Sequence, residues 1–224
     1  MNPADDLPRI NLHPGDRYAT KENVMLTTLL GSCVSACLYD PVAHVAGMNH
    51  FLLANRRYAR DLPLTVTDAG RYGVHSMELL INDMLRLGAL KSRIKAKAFG
   101  GGAVVETLSH DNFLCVGEIN ERFIREFLAT EGIVLAAEDL GGKQGRVIRF
   151  RTDNYAVFRK YIVPQATEKI ERQERGFWEK EIEKHEHREE TIVFFGEADG
   201  PDRAQRSTSA GKDASSGDLA RDRK

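Results

Sequence analysis

Residues 27–53 read TTLLGSCVSACLYDPVAHVAGMNHFLL and gather a cysteine behind a glycine, a threonine upstream and two histidines downstream in one apolar segment. Residues 24–30 and 34–39 are rich in β-branched and aliphatic side chains, and residues 44–53 form another such run after the turn signal Asp40-Pro41. Three successive strands are therefore expected. Gly31-Ser32 interrupts the first two, so Cys33 is expected on a bend, where its sulfur could meet a substrate.

A free thiol has a pKa of about 8.5, so a nucleophilic Cys33 needs a base nearby to form the thiolate. His44 and His50 both qualify. Along a strand residues of equal parity share a face, so periodicity does not choose between them. His44 lies close to the Pro41 turn, whereas His50 sits among Met48, Phe51 and Leu52, where burial makes a hydrogen-bonding partner more pressing. Two plainer readings stand beside this one. Cys33, Cys37 and Cys115 fit small buried hydrophobes, Cys37 best of all. Cys33-x3-Cys37 with His44-x5-His50 loosely mimics a zinc pattern, but only six residues separate the pairs, which makes four-ligand convergence awkward.

Working outward, a chain of 224 residues with 42% hydrophobic and 29% charged content suits one soluble domain with a polar extension. With 32 basic against 33 acidic residues the formal net charge is −1, which favours neither nucleic acid nor an anionic membrane as partner. Three cysteines without paired spacing, a start lacking the apolar core of a signal peptide and no membrane-length apolar run point to the cytoplasm. Residues 1–14, with Pro3, Pro8 and Pro14, read as a flexible lead into a first strand at residues 17–20. The arginines Arg56, Arg57 and Arg60 could hold an acidic substrate helix, although exposed arginines are common.

Apolar residues recur at Val74, Met77, Leu80, Ile81, Met84 and Leu85, the spacing of one helical face over residues 67–88, with His75 on the polar side. Residues 93–99 alternate as a strand. The Gly100-Gly101-Gly102 run after it lacks nucleotide-binding spacing and reads as close backbone packing near the active site. Residues 120–130 suggest a second helix capped by Asn120. Residues 133–140 and 146–151 read as strands joined by a glycine loop, and Asp153-Asn154 as a last hairpin turn. Glu138 and Asp139, adjacent on a strand, face opposite ways and cannot share one ion. The order of elements lacks the regular alternation of a doubly wound sheet, so an α+β fold of layered sheets and helices is expected.

LGSCVSACLYD followed by GMNHFLL resembles the signature of the CheD family, the chemoreceptor glutamine deamidases of bacterial chemotaxis. RYGVHSMELLINDMLRLGA, KAKAFGGGAV, VGEIN and AAEDLGGKQGRVIRF agree in order, and the resemblance covers about residues 10–162. It departs at Ile119, where an arginine is expected. The resemblance implies Cys33 as nucleophile, His50 as general base and Thr27 as third catalytic residue, with no cofactor or metal. It also implies an architecture shared with bacterial toxin deamidases. The implied reaction converts glutamine side chains of chemoreceptor cytoplasmic domains to glutamate through a thioester, and glutamate methyl esters present a related carbonyl for methylesterase activity. The competing class is a non-catalytic module that docks on a receptor or on a CheC-type phosphatase. The domain is expected over residues 15–163. A charged helical extension follows to residue 195, with Ile170, Phe177, Trp178 and Ile182 as a partial apolar stripe and residues 191–195 as a short apolar patch. Residues 196–224 have almost no large apolar side chain and are expected to be disordered.

Overall fold

The computed structural model describes residues 7–53, 68–103 and 114–162, together with residues 172, 174, 176 and 177. These lie within one unit, Met1–Arg188; a second unit, Glu189–Lys224, lies outside the described residues.

Among the described residues, alternating apolar side chains form nine strands in two sheets. Strands β1 (Arg9–Leu12), β3 (Met25–Leu30), β8 (Arg146–Arg151) and β9 (Val157–Tyr161) make a four-stranded sheet in the order β1-β3-β8-β9. Strands β2 (Arg17–Thr20), β4 (Val34–Asp40), β5 (Val45–Asn49), β6 (Lys95–Gly100) and β7 (Val134–Leu140) make a five-stranded sheet in the order β2-β5-β4-β6-β7. β1 runs parallel to β3 and β7 parallel to β6; the other pairs are antiparallel. Helices α1 (Asp68–Arg86) and α2 (Leu114–Thr130) cover the outer face of the larger sheet. The fold is α+β, and no helix among the described residues is long and apolar enough to cross a membrane.

The period-2 pattern divides the core in two. Val34, Ala36 and Leu38 of β4 face the helices and meet Met77, Leu80, Phe123 and Phe127. Cys33 and Cys37 face the other way, with Met48 and Leu52, toward Leu26, Leu30, Ile148 and Phe150 of the smaller sheet. Cys33 therefore lies in the layer between the sheets.

Three expectations are corrected. Residues 9–12 belong not to a flexible lead but to β1, where Ile10 and Leu12 pack on the inter-sheet core between prolines that remove donors only at the strand's ends. Asn120 is not a cap, because α2 begins at Leu114; its side chain is wholly buried and bonds the backbone of other elements. The glycine loop between β7 and β8 is no hairpin: it carries the chain from one sheet to the other. Buried Arg146 holds that loop, donating to the carbonyls of Asp139, Gly141 and Gln144. Such a fork of donors replaces the regular ladder that a hairpin would supply. Glu138 and Asp139 do diverge as the strand requires, Glu138 to Arg125 and Asp139 to Arg146 and Arg159. Arg56, Arg57, Arg60, Ile170, Trp178, Ile182 and residues 191–224 lie outside the described residues.

The Gly100-Gly101-Gly102 run does pack backbone on backbone. A Cβ at Gly100, whose φ is +117°, would stand 2.1 Å from the Cys33 carbonyl oxygen. Gly100→Ala should therefore destabilise the protein by about 3 kcal/mol or more, combining backbone strain with displacement of the Cys33 segment. Gly132→Ala, at φ +66° with nothing within 4 Å of the new Cβ, should cost about 1 kcal/mol. Urea unfolding of both variants measures the difference, and equal losses would show that the contact at Gly100 relaxes freely.

Candidate active site

The link Gly31-Ser32-Cys33 joins β3 of one sheet to β4 of the other, so it must turn sharply. Every carbonyl in the link is bound on one side. The Gly102 N–H donates to Gly31 O at 2.8 Å, Asn120 Nδ2 to Ser32 O at 2.8 Å, and the Gly101 N–H to Cys33 O at 2.8 Å. The glycine run and the buried asparagine of α2 thereby fix the orientation of the peptide planes. Asn120 also accepts from the Leu53 N–H at 2.7 Å, which ties the link to the end of the histidine segment.

With the carbonyls held, the three N–H groups converge on one object, the carboxylate of Glu174. Its Oε1 accepts from the Gly31 N–H at 3.0 Å and the Cys33 N–H at 3.2 Å. Its Oε2 accepts from the Ser32 N–H at 3.2 Å and Ser32 Oγ at 2.6 Å. A nest of backbone amides of this kind binds anionic oxygen, whether resident carboxylate or developing oxyanion. Burial and then the charge of the neighbouring Glu174 carboxylate push the Cys33 thiol well above its usual range, against a smaller opposing effect of the Cys33 N–H. Cys37, on the same face but in the strand, is pushed up to about 12, chiefly by burial.

His50 stands beside Cys33 through the strand register. Val34 and Phe51 exchange both backbone hydrogen bonds, at 3.0 and 2.9 Å, so Cys33 opposes Leu52 and Ser35 opposes His50. Cys33 and His50 are then diagonal neighbours on the inter-sheet face, a span of about 7 Å between positions in such ladders. The backbone of His50 is clamped by the turn after β1: the Gly15 N–H donates to His50 O at 2.8 Å, and the His50 N–H donates to Asp16 O at 2.9 Å. His44 is exposed in the turn before β5, so the two histidines do not compete for the thiol.

The imidazole's partner across the inter-sheet space is Thr28, whose Oγ1 lies 2.7 Å from His50 Nδ1. Thr28 spends its only proton on the Leu12 carbonyl at 2.8 Å. It can then only accept from the ring, which places the imidazole proton on Nδ1 and leaves a lone pair on Nε2. Nε2 is buried and has no hydrogen-bond partner among the described residues. Burial lowers the imidazole's pKa to about 3, with the Leu12 carbonyl opposing and the charge of His13 adding to the shift. The group is a neutral base.

Thr27 makes no such contact. It adjoins Thr28 in β3 and so faces the opposite side of the strand, where its Oγ1 is buried without a hydrogen-bond partner among the described residues. Ile119 packs against the core beneath the helices. No three metal-ligating side chains cluster among the described residues. Sequence reading missed Thr28, Asn120 and Glu174. The doubled threonine was a usable signal for the first, since only one of two adjacent strand residues can face the histidine. A buried interior asparagine and a remote glutamate leave no local pattern.

A protein-family model, described as CheD chemotactic sensory transduction, matches residues 58–161. The probable chemoreceptor glutamine deamidase CheD 1 of Geobacter sulfurreducens is 47% identical over 187 residues, covering 83% of this chain and 93% of that protein. The probable chemoreceptor glutamine deamidase CheD 2 of Shewanella oneidensis is 47% identical over 158 residues, 68% of this chain and 76% of that one. Among solved structures, Neisseria meningitidis protein NMB0706 superposes with a TM-score of 0.37 at 13% identity over 61% of this chain and 63% of that one, too distant to bear on the fold. With 47% identity sustained over nearly the whole Geobacter relative, this chain belongs to the CheD family.

Proposed function

We propose that this protein is a cysteine-dependent deamidase that converts glutamine side chains of chemoreceptor cytoplasmic domains to glutamate. The observation that carries the reading is the convergence of three backbone N–H groups, that of Cys33 among them, on one carboxylate, the shape of a glutamine's product. The names of the relatives supply the substrate class.

His50 Nε2 takes the thiol proton as Cys33 Sγ attacks the side-chain carbonyl carbon. The oxygen gathers negative charge between the N–H groups of Gly31 and Cys33, the latter held ready through the pinned Ser32 carbonyl. Collapse of the intermediate expels ammonia, protonated by the imidazolium, and leaves a thioester. Water then gives its proton to His50 and its oxygen to the acyl carbon, which releases glutamate and restores the thiol. Thr28 accepts from Nδ1–H throughout, so Nε2 alone exchanges protons, the orienting part played by the third member of a triad. A glutamate methyl ester would form the same thioester with methanol as the leaving group. A receptor or CheC-type partner bound without chemistry is the competing reading.

Incubation of a receptor cytoplasmic fragment with the protein should give a unit mass gain at specific glutamines. Cys33→Ala and His50→Ala should abolish the gain in a folded protein, whereas Cys37→Ala should act mainly through packing. Thr28→Val should lower kcat by about tenfold or more, and more than Thr27→Val does. The reverse ranking would return the orienting role to Thr27. Absence of any mass gain with a fragment that binds would leave the docking module.

The proton balance gives a further expectation. Because the folded state holds His50 near 3 and the unfolded chain near 6.5, only the unfolded chain takes up this proton on acidification. The contribution to stability is complete above about pH 6.5 and is lost as pH falls from there toward 3. The urea midpoint should therefore drop more steeply between about pH 7 and pH 5 in the wild type than in His50→Gln. Parallel slopes would show that the imidazole is not held neutral.

A further inference from the structure

Glu174 lies beyond the residues that the family model matches, 58–161, yet it fills the site. Residues 172, 174, 176 and 177 have helical backbone, and Glu174 is only 6% exposed. Three residues along, on the same helical face, the ring of Phe177 rests on Gly15, where a Cβ would stand 2.7 Å from the ring carbon Cε2. Phe177 thereby packs against the inter-sheet core. Gly15 is the residue whose N–H clamps the His50 carbonyl. One short stretch of helix thus touches both halves of the reaction centre, the thiol with its amides through Glu174 and the histidine's clamp through Phe177.

We propose that this segment is a tethered product mimic: Glu174 holds the place of the substrate's glutamine, and Phe177, seated over Gly15, anchors it there. The inference rests on the deamidase reading and deepens it. A glutamate carboxylate is what deamidation leaves, and this one takes the two amides assigned to the oxyanion at Oε1 and the Ser32 N–H and hydroxyl at Oε2. Its charge beside the buried thiol also opposes thiolate formation while it stays. A group tethered by a short chain competes at an effective concentration of order millimolar, so it holds the site against dilute substrates and yields to a receptor helix present at high local density. The segment then sets the substrate concentration at which the enzyme responds.

Variants of the full chain test this beside the wild type on the receptor fragment. If the closed arrangement is ~90% populated, Glu174→Ala should lower KM about tenfold with kcat unchanged, and Phe177→Ala should lower KM in the same direction. Cys33 should react faster with iodoacetamide in Glu174→Ala than in the wild type, at a matched urea midpoint. Glu174→Gln should become its own substrate, with a unit mass gain at position 174 that is absent when Cys33→Ala is combined with it. A wild type that deamidates the fragment while Glu174→Ala leaves KM and alkylation unchanged, or lowers kcat as a structural loss would, overturns the proposal. So does a Glu174→Gln variant that acts on the fragment while the amide at position 174 persists. Conversion of that amide without any action on the fragment would uphold the mimic and remove the receptor as substrate. Failure of both conversions, with Cys33 alkylated no faster in Glu174→Ala, would remove the deamidase reading and this inference together.

Discussion

Three hydrogen bonds to the carbonyls of Gly31, Ser32 and Cys33 determine what this protein can do. A peptide unit is planar, so holding the Gly31 and Ser32 carbonyls aims the N–H groups of Ser32 and Cys33, and holding the Cys33 carbonyl aims the Val34 N–H at Phe51 O. The donors come from Gly101, Gly102 and Asn120, on β6's extension and on α2. The molecule behind the site is the scaffold for those donors. α2 approaches because Gly117 has no Cβ, which would lie 2.5 Å from Gly101 O. The β7–β8 loop seats against the glycine run through Gly141 N–H to Gly100 O and Ala103 N–H to Gly142 O, at 2.9 and 2.7 Å. Arg146 holds that loop in turn. The chain of supports runs from a buried guanidinium to a bend carrying a thiol.

What was legible in the sequence was local. The β3-β4-β5 strands, the amphipathic α1 and the glycine run beside the bend follow from side-chain periodicity or steric need within a short window, and the preference for His50 over His44 from the apolar residues around it. What was not legible depends on partners distant in the chain. Proline-flanked residues 9–12 look like coil until β3 offers them a parallel partner. The allocation of strands to two sheets is invisible in any one strand, and it made a crossing between sheets look like a hairpin. Asn120 looks like a cap because asparagine is a good one, and only the position of Ser32 and Leu53 gives it other work. Thr27 and Thr28 differ by parity alone, and parity acquires meaning only when the facing sheet is known.

Glu174 illustrates the same limit more sharply. In a stretch rich in Glu, Lys and Arg one carboxylate resembles the others, and its burial among amides arises 141 residues away from its nearest partner, Cys33. The sequence reading closed the domain near residue 163, yet Glu174 and Phe177 pack on it beyond that point.

The proposed reaction centre is divided between two hydrogen-bonded layers. Cys33 and His50 adjoin strands of the five-stranded sheet, while the hydroxyl that orients the imidazole stands on β3 of the four-stranded sheet. Away from the bend at Gly31, the facing sheets touch through side chains across about 10 Å. A hydrogen bond of 2.7 Å spans that gap, and a displacement of roughly 1 Å is enough to break it. The orientation of the His50 ring is thereby coupled to the separation of the two layers. Any ligand or pressure that wedges or shears them would act as a throttle on the proposed proton transfer without touching a reacting atom.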